Sequence, residues 1–335
     1  MPSYIFRRLL LIIPTVFLAL SFLFFLFFAL PGDPVNLIAG GADRTPNPIV
    51  LQQIEERYGF DDPLPVQFAN YWQRTVTWDL GESYLNRQSV NDILGEKAVN
   101  SLRLAIWAII IEVIVGIAVG LVSAIRRYSV ADRMTTIVTA GASAVPVFVL
   151  GFILQYGFAV VPNLNDWPEW ARLRTSRLGP DTWAFFFIPT GEQWRYLILP
   201  AITLASVSTA LAARMTRGSM LEVLRADYMR TARAKGLKER QVVARHGLRN
   251  AMLPVITLIG IDFGTVIGAA VLTETVFSWP GLGSEIARSV VGRDLPVALG
   301  LTLAVVVAYS FINLLVDLSY AWFDPRIRLG GGEAS

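Results

Sequence analysis

Cysteine and histidine, two residue types that often act in catalysis and metal binding, are nearly absent from this chain of 335 residues. It contains no cysteine, which excludes disulfides, thiolate metal sites and cysteine nucleophiles. Its single histidine, His246, cannot form a histidine metal cluster by itself. The glycine-rich phosphate loop ending in Gly-Lys-Ser/Thr, the His-Glu-x-x-His pair and the Gly-x-Ser-x-Gly elbow are also missing. We therefore predict no catalytic residue, no metal site and no cofactor bound to this chain.

Three acidic residues, Glu112, Asp262 and Asp317, instead lie inside long apolar runs. An acid within a membrane is costly and usually faces the protein interior or a water-filled cavity. Asp262 either lines a solute path, where it would attract an ammonium group, or is a protonated or hydrogen-bonded structural acid. The same two interpretations apply to Glu112. Asp317 lies near the end of its run and is interpreted as a packing or interface acid.

The apolar runs that carry these acids predict a polytopic membrane protein. The chain is 54% apolar and only 16% charged, with a mean hydropathy of +0.50, whereas a soluble domain is about a quarter charged. Disordered and collagen-like classes are excluded by the same composition. Six runs are long enough to cross a membrane, which needs about 20 apolar residues. They lie near 9–30, 104–125, 135–161, 196–213, 253–273 and 298–319.

The distribution of charge predicts that both termini are cytoplasmic. The first run is too long for a cleavable signal peptide and follows Arg7 and Arg8. With the N-terminus inside, segment 214–250 is also inside and carries ten Lys/Arg, as the positive-inside rule requires. The predicted parts are 1–30 (first span), 31–100 (extracytoplasmic cap), 101–161 (second and third spans), 162–195 (extracytoplasmic Trp-rich loop), 196–213 (fourth span), 214–250 (cytoplasmic loop), 251–322 (fifth and sixth spans) and 323–335 (cytoplasmic tail).

Two of these soluble segments face outside. Segment 31–100 is acidic, with ten Asp/Glu against five Lys/Arg, and predicts short helices near 48–58 and 64–78. Segment 162–195 holds four of the nine tryptophans. These indole rings form either an aromatic belt at the membrane interface or a docking surface for an external partner.

Segment 214–250 is the most informative soluble segment. Strong helix formers fill both of its halves, and Gly236 suits a left-handed helix C-cap between them. We expect two cytoplasmic helices joined at Gly236. In the first, Leu221, Leu224, Tyr228 and Ala232 form an apolar stripe beside a mostly charged stripe of Glu222, Arg225, Met229 and Arg233. The alternatives are a lipid-contacting basic loop, a protein-docking helix pair and, least compatible with its place between spans, a DNA-binding helix pair.

The same segment resembles the permease signature of ABC importers, in the dipeptide/oligopeptide/nickel group. The similarity is carried by the run Arg230-Thr-Ala-Arg-Ala-Lys-Gly236 and by Arg245-His-Gly-Leu-Arg-Asn-Ala251 with Leu253-Pro254. Strings elsewhere resemble the B-type subunit of that group in the same order. They are Arg7-Arg-Leu-Leu10, Leu30-Pro-Gly-Asp-Pro34, Tyr58 to Gln67, Asp79-Leu-Gly81, Asn100 to Ala105, Glu274 to Gly283 and Asp324 to Arg328.

This resemblance implies an all-α, type I ABC importer permease of about six transmembrane helices in a bacterial or archaeal inner membrane. It also implies a C-type sister permease, two cytoplasmic ATPases that hold ATP and Mg, an external substrate-binding protein, and a peptide cargo. Membrane lipid is a further partner and nucleic acid is not. The helix before Gly236 would be the coupling helix seated in an ATPase, with Asp227, Arg230, Thr231, Ala232, Arg233, Lys235 and Gly236 as its contact residues.

The resemblance also suggests where the transported solute passes. The loop Glu274–Gly283, with Phe277, either closes the outer mouth of the path or forms a short outer helix with no gating role. Glycines at four-residue spacing permit close helix contacts, which are either static or part of a moving interface with the sister permease. These glycines are Gly116 and Gly120 in the second span, and Gly260, Gly264 and Gly268 in the fifth.

A different class of protein remains as an alternative, namely an ion-coupled secondary carrier. Such carriers often show paired repeats; no clear repeat is present here, and the basic helix pair would have no role. Among importers, nickel complexes and other small solutes stay open as cargo, because the sequence does not contain the external binding protein.

Overall fold

Helices account for almost all of the regular structure in the computed structural model, which describes residues 2–29, 35, 51–52, 55–56, 59–175 and 183–323. Of the helix expected near 48–58, the structure describes residues 51–52 and 55–56, which are helical. The string Leu30-Pro-Gly-Asp-Pro34 and the tail from residue 324 lie outside the described residues. In chain order the helices are α1 Pro2–Ala29, α2 Leu64–Val76, α3 Val90–Ile111, π1 Glu112–Gly116, α4 Ile117–Ile125, α5 Val130–Ala144, α6 Val147–Gln155, π2 Tyr156–Val160, α7 Val161–Leu164, a 3-10 turn Glu169–Ala171, α8 Gln193–Val223, α9 Asp227–Ala234, α10 Glu239–Gln241, π3 Val242–Leu248, α11 Arg249–Val276, α12 Leu282–Val291 and α13 Leu295–Phe323.

The expectation of about six transmembrane helices is confirmed. Five helical stretches are long and apolar enough to cross a membrane: Leu10–Phe27, Val90–Ile125, Val147–Leu164, Gln193–Val223 and Leu295–Val316. A sixth is the bent pair Glu239–Val266 and Gly268–Val276, whose parts meet at 58°. Most of the helices are longer than the predicted spans. The reason is that helical backbone hydrogen bonding continues into the polar residues that flank each apolar run.

The third predicted span, 135–161, is not one helix. Helix α5 ends at Ala144 and α6 begins at Val147, with Val145 in an extended conformation (ψ 129°). Pro146 explains the break, since a proline removes a backbone donor and disfavours helical geometry in the residue before it. Only the second half therefore reaches the length and apolarity of a span.

The chain divides into two compact units. The first comprises Met1–Asn100, Pro280–Leu314 and Arg328–Ser335. Its described part is built on α1, where Leu20 packs with Val90, Val297 and Leu301. Phe24 stacks on Tyr71 of α2, with ring centroids 5.5 Å apart. The amphipathic cap helix α2 thus buries its aromatic side against the first span.

The second unit comprises Ser101–Trp279 and Leu315–Ile327. Helix α8 is its centre and packs against π1, α4, α5, α6 and α11. The core between these helices includes Leu104, Leu197, Leu204, Val266 and Trp279. Small residues of α8, such as Ala201, Ala205 and Ala212, are fully buried and allow its neighbours to approach closely.

A short antiparallel hairpin, β1 Trp183–Ala184 and β2 Ile188–Pro189, belongs to the Trp-rich loop. Its turn is fixed to α3, where the Trp107 indole N–H donates to the Phe187 carbonyl (2.7 Å) and Arg103 Nε donates to the Phe186 carbonyl (2.8 Å). The Arg103 guanidinium also lies 4.3 Å from the Trp183 ring centroid, a cation–π distance. The Trp-rich loop is therefore anchored to the second span.

Candidate coupling segment and translocation path

The segment predicted to be cytoplasmic, 214–250, begins within α8, which ends at Val223. Residues 224–226 turn the chain, and the separate eight-residue helix α9 runs from Asp227 to Ala234. The two stripes predicted for one continuous helix are therefore wrong. The break shifts the helical phase, so Met229 is fully buried whereas Tyr228 is exposed.

Helix α9 is held to its own chain by one apolar edge. Met229 and Ala232 pack with Val242 of π3 and with Val223 and Leu224 at the end of α8. The opposite edge is charged and solvent-facing, with side-chain exposures of 98% for Asp227 and 79% for Arg230. A helix with one buried edge and one free charged edge is suited to docking a second protein.

Most of the residues predicted for coupling share that free edge. Asp227, Arg230, Thr231, Arg233, Lys235 and Gly236 are all exposed. Ala232 instead faces inward, so the structure gives it a packing contact within the chain. The small size of Ala232 lets α9 lie close to π3, a role that the signature string alone does not reveal.

Gly236 has the left-handed conformation expected of it, with φ +76°. A Cβ at this position would meet nothing within 4 Å, so backbone conformation alone requires glycine. Across this turn, Arg233 forms two hydrogen bonds with Glu239, at 2.9 and 3.1 Å. The helix after Gly236 is not a separate cytoplasmic helix, because α10, π3 and α11 follow one another without interruption from Glu239 into the fifth span.

Gly247 lies where α8, α9 and π3 meet. The sequence did not indicate a role for this residue. A Cβ on Gly247 would lie 3.3 Å from Met229 Cε of α9 and 3.4 Å from Met220 Cε of α8. Gly247 belongs to π3, which leads into α11. The absence of a side chain here lets two methionine methyl groups fill the space between α8, α9 and π3.

An ion pair with a buried carboxylate connects α4, α5 and α8 close to this segment. Arg217 of α8 donates to both carboxylate oxygens of Asp132, at 2.7 and 3.1 Å. The Ser123 hydroxyl of α4 (2.5 Å) and the Tyr128 N–H (2.9 Å) donate to the same carboxylate. This cluster has no local sequence signal, because Asp132 and Arg217 are 85 residues apart.

These donors hold the pKa of Asp132 well below its usual range, with the Arg217 guanidinium as the main cause and the Ser123 and Tyr128 donors next. A carboxylate whose pKa falls on folding stabilises the fold above the unfolded-state pKa, about 3.9. That stabilisation is lost as the pH falls from there through the folded-state pKa. We therefore expect Asp132→Asn to lower the thermal midpoint of the detergent-solubilised protein at neutral pH, and the difference from wild type to shrink below about pH 4.

The measurement is thermal unfolding of both proteins at several pH values. Asp166→Asn provides a matched control, because Asp166 is 93% exposed and lies 3.4 Å from Arg172; it should change the midpoint little at any pH. If Asp132→Asn lowered the thermal midpoint by the same amount at neutral and at strongly acidic pH, the stabilising role of the ionised Asp132 carboxylate would be contradicted.

The two acids predicted in the path lie on helices that share a neighbour. Glu112 begins π1 and is 1% exposed. Asp262 of α11 is half-buried, and its Oδ1 accepts a hydrogen bond from the Thr265 hydroxyl at 2.6 Å. Both π1 and α11 pack against α8. The side chain of Asp317 lies outside the described residues.

The two residues predicted in the outer loop are buried within the second unit. Glu274 accepts a 2.5 Å hydrogen bond from the Ser101 hydroxyl of α3. Phe277 is almost fully buried and packs with Ala159 and Leu199. The last two residues of this loop, Leu282 and Gly283, begin the short helix α12 Leu282–Val291.

The predicted glycine contacts differ between the two spans. A Cβ on Gly116 would lie 2.8 Å from Ala212 Cβ, and one on Gly120 would lie 2.7 Å from Thr216 Cβ. Gly116 and Gly120 therefore make tight contacts with α8 inside this chain. A Cβ on Gly268 would meet nothing within 4 Å, while Gly260 is half-buried and Gly264 buried.

A cavity of about 310 Å³ lies in the first unit, where residues of the predicted cap meet α1 and α13. Aromatic rings of Phe24, Phe60, Tyr71 and Tyr84 line it together with acidic side chains that include Asp79. Burial raises the pKa of Tyr71 to about 12. Arg74 also lines this cavity, so its wall combines acidic side chains with a guanidinium group.

Family profiles match almost the whole chain. One, described as "Binding-protein-dependent transport system inner membrane component", matches residues 116–329. A second, described as "Binding-prot-dependent transport system membrane comp, N-term", matches residues 1–105.

Individual relatives agree with these profiles. The chain is 38% identical over 331 residues to the glutathione transport system permease protein GsiC of Escherichia coli strain CFT073, covering 98% of this chain and 99% of the relative. GsiC of Escherichia coli strain K12 and of Shigella flexneri serotype 5b match with the same identity and coverage. A solved structure described as an amino acid ABC transporter with histidines is 13% identical, with a TM-score of 0.50, covering 71% of this chain and 95% of that one. It supports the fold alone.

Proposed function

Since this chain belongs to the binding-protein-dependent inner membrane permeases, in the peptide and nickel group of ABC importers, we propose that it forms half of an ATP-driven path for small peptides. The other half is a homologous C-type permease. An external binding protein delivers the cargo, and two ATPase subunits bind and hydrolyse ATP. The subunit itself is a multi-pass inner membrane protein whose task is passage rather than catalysis.

The observation that carries this proposal is the way α9 is presented. Its apolar edge is buried on α8 and π3, and its charged edge with Asp227 and Arg230 is free. A short helix held rigidly in this way can transmit a displacement from a docked ATPase to the spans, which then switch between two states. We place α9 and both termini on the cytoplasmic side, supported by the Lys/Arg content of 214–250.

The contact residues on the proposed coupling helix are Asp227, Arg230, Thr231, Arg233, Lys235 and Gly236, with Ala232 supporting them from beneath. The proposed path residues are Glu112, Asp262, Glu274 and Phe277. Glu274 and Phe277 are buried in this conformation, which is compatible with a closed outer mouth.

The peptide cargo is supported by the relatives, whose printed name assigns them to glutathione transport. Glutathione is a small peptide with a free ammonium group, and Asp262 is an acid that such a group would approach. We therefore expect glutathione or a dipeptide, rather than a nickel complex, to be transported.

Reconstitution tests the proposal directly. This chain, its sister permease, both ATPases and the binding protein are placed in lipid vesicles, and uptake of labelled glutathione, a dipeptide and a nickel complex is measured with ATP. We expect peptide uptake only when all components are present. Uptake by this chain alone, driven by an ion gradient, would instead support the secondary carrier, and uptake of nickel alone would refute the peptide cargo.

A further inference from the structure

A cavity of about 350 Å³ lies in the second unit, in the part of the chain that carries the Trp-rich loop. Its size is at the lower end of the range for small-molecule sites, about 300–1,000 Å³. The lining residues include a single acid, Glu169, and three arginines, which are Arg172, Arg174 and Arg195. The predicted topology places all three arginines outside, although Lys and Arg are usually concentrated on the cytoplasmic side. The topology therefore does not account for this basic cavity.

Backbone hydrogen bonds fix the position of these arginines. The Leu173 N–H donates to the Phe158 carbonyl of π2 (3.2 Å), and the Arg174 N–H donates to the Arg195 carbonyl of α8 (3.1 Å). The Leu173 side chain belongs to the same apolar cluster as Ala159 of π2. The segment that carries Arg174 therefore connects π2 with the first turn of α8.

The cavity lies where two candidate spans end. The stretch that contains α6, π2 and α7 ends at Leu164, and α8 begins at Gln193. Two tryptophans between these ends are exposed, Trp167 by 48% and Trp170 by 77%. Indole rings are enriched at the level of the lipid headgroups. The arginines are therefore held at the level where lipid phosphates lie.

Arg174 and Arg195 have only long contacts for their charges. Arg174 Nη2 lies 3.9 Å from Glu192 Oε2, and Arg195 Nη1 lies 3.5 Å from Glu192 Oε1. Arg174 Nη1 donates to the Tyr196 hydroxyl at 3.4 Å. Well-formed hydrogen bonds between guanidinium and carboxylate are about 2.7–2.9 Å long. A single exposed acid thus serves two guanidinium groups at distances that leave room for a better acceptor.

Arg172 is positioned mainly by a neutral group. Its Nε donates to the Trp167 carbonyl, and its Nη2 lies 3.4 Å from Oδ1 of Asp166, which is 93% exposed. An ion pair with so exposed an acid compensates little of the charge. All three arginines of the cavity therefore retain most of their attraction for an anion.

An exposed apolar face leads along the third span to the same cavity. Side chains four residues apart share one side of a helix. At this spacing, the exposed fractions are 54% for Phe152, 62% for Tyr156, 39% for Val160 and 73% for Leu164. Asn163 of the cavity wall is the neighbour of Leu164. A basic cavity at the end of an apolar face matches the two parts of a phospholipid, a phosphate and its acyl chains.

We propose that the cavity binds the phosphate of an anionic phospholipid whose acyl chains cover this apolar face. Arg174 and Arg195 donate to the phosphate oxygens, for which the planar guanidinium fork is well suited. Arg172 adds a third positive charge. The bound lipid then holds the connection between π2 and α8 at the membrane surface. This lipid site goes beyond the proposed function and does not depend on which cargo is carried.

Native mass spectrometry of the detergent-solubilised full chain, with phosphatidylglycerol added, tests the site. Wild type should retain one lipid, and Arg174→Gln/Arg195→Gln should weaken its binding by about tenfold or more, since hydrogen bonds to a charged group are lost. Arg87→Gln/Arg288→Gln is the charge-matched control, because Arg87 is exposed and Arg288 is 72% exposed. Its lipid binding should equal that of wild type. Equal weakening by both double variants, or no lipid bound to wild type, would overturn the proposal.

A second comparison separates a lipid from a free phosphate. Leu164→Ser makes the apolar face polar beside the cavity and should weaken phosphatidylglycerol binding about fourfold, the equivalent of one buried methylene. Binding of inorganic phosphate by this variant should be unchanged. Val291→Ser is the control, since Val291 is 86% exposed on α12, and should bind the lipid as wild type does. Inorganic phosphate bound as tightly as the lipid, with no effect of Leu164→Ser, would show a free-phosphate site and refute the lipid.

The assembled importer provides the last comparison. Phosphatidylglycerol should remain bound when the sister permease and the ATPases are present, and Arg174→Gln/Arg195→Gln should still release it. Loss of the lipid from the assembled wild type would show that another subunit covers the apolar face, which would refute the proposal.

Discussion

Gly236→Val is expected to insert and fold but to lose about nine-tenths of ATP-driven uptake. Nothing lies within 4 Å of the new Cβ, so the effect comes from the backbone. A non-glycine residue in the left-handed conformation costs about 1–2 kcal/mol, and 1.4 kcal/mol is about tenfold in an equilibrium constant. Relief of this strain would turn α9 relative to Glu239 and misplace its free charged edge. Uptake and cargo-stimulated ATP hydrolysis of the reconstituted importer provide the measurement.

Two further variants separate conformation from bulk. Gly236→Asn should retain most activity, because asparagine tolerates the left-handed conformation better than other residues. Gly218→Val adds the same side chain to α8, where a Cβ also meets nothing within 4 Å but φ is not positive, and should have a smaller effect. Normal uptake and normal stimulated hydrolysis by Gly236→Val would refute the role of this turn in coupling.

Gly120→Ala is expected to destabilise the second unit by about 3 kcal/mol, the upper part of the range for overpacking. The added methyl group would lie 2.7 Å from Thr216 Cβ and would also strike the backbone carbonyl oxygen of Ala213. A backbone atom cannot turn aside as a side chain can. We expect a lower thermal midpoint and a smaller yield of folded protein, measured by thermal unfolding and size-exclusion chromatography in detergent.

Gly268→Ala is the matched control, since the same methyl group meets nothing within 4 Å in this chain. The isolated subunit should tolerate it. If Gly268 instead contacts the sister permease, as the moving-interface interpretation expects, the variant should weaken copurification of the two permeases. Equal destabilisation of the isolated chain by both variants would show that the described packing of Gly120 is wrong.

The spans could be predicted because lipid imposes a strong constraint on the sequence. A run such as 9–30 has few alternatives to a membrane helix, and it lies within helix α1 apart from its last residue, which is outside the described part. The residues at which these helices begin and end were harder to predict, because hydropathy does not indicate where helical backbone hydrogen bonding stops. Val145 and Pro146 show this limit: the proline was visible, but membrane helices often tolerate one, and the pattern did not reveal that the helix breaks there.

The candidate site was predictable where backbone geometry dictates a residue type and not where distant residues meet. Gly236 could be predicted from the need for positive φ at a helix end. The buried face of the neighbouring helix α9 could not be predicted in the same way. An apolar stripe is assigned on the assumption of one unbroken helix, and the turn at 224–226 changes which residues of α9 face inward. The Asp132–Arg217 pair depends on tertiary packing between α5 and α8, for which a single sequence contains no local signal.

The meeting of Met220, Met229 and Gly247 bears on how movement spreads through the protein. Methionine side chains are unbranched and adapt to changes in shape at little cost. The two methyl groups can therefore keep this contact filled with hydrocarbon when the rigidly held helix α9 is displaced. A displacement of α9 would then reach α8 of the fourth span and π3, which leads into the fifth span, at the same time. Both segments meet α9 at the methyl groups of Met220 and Met229.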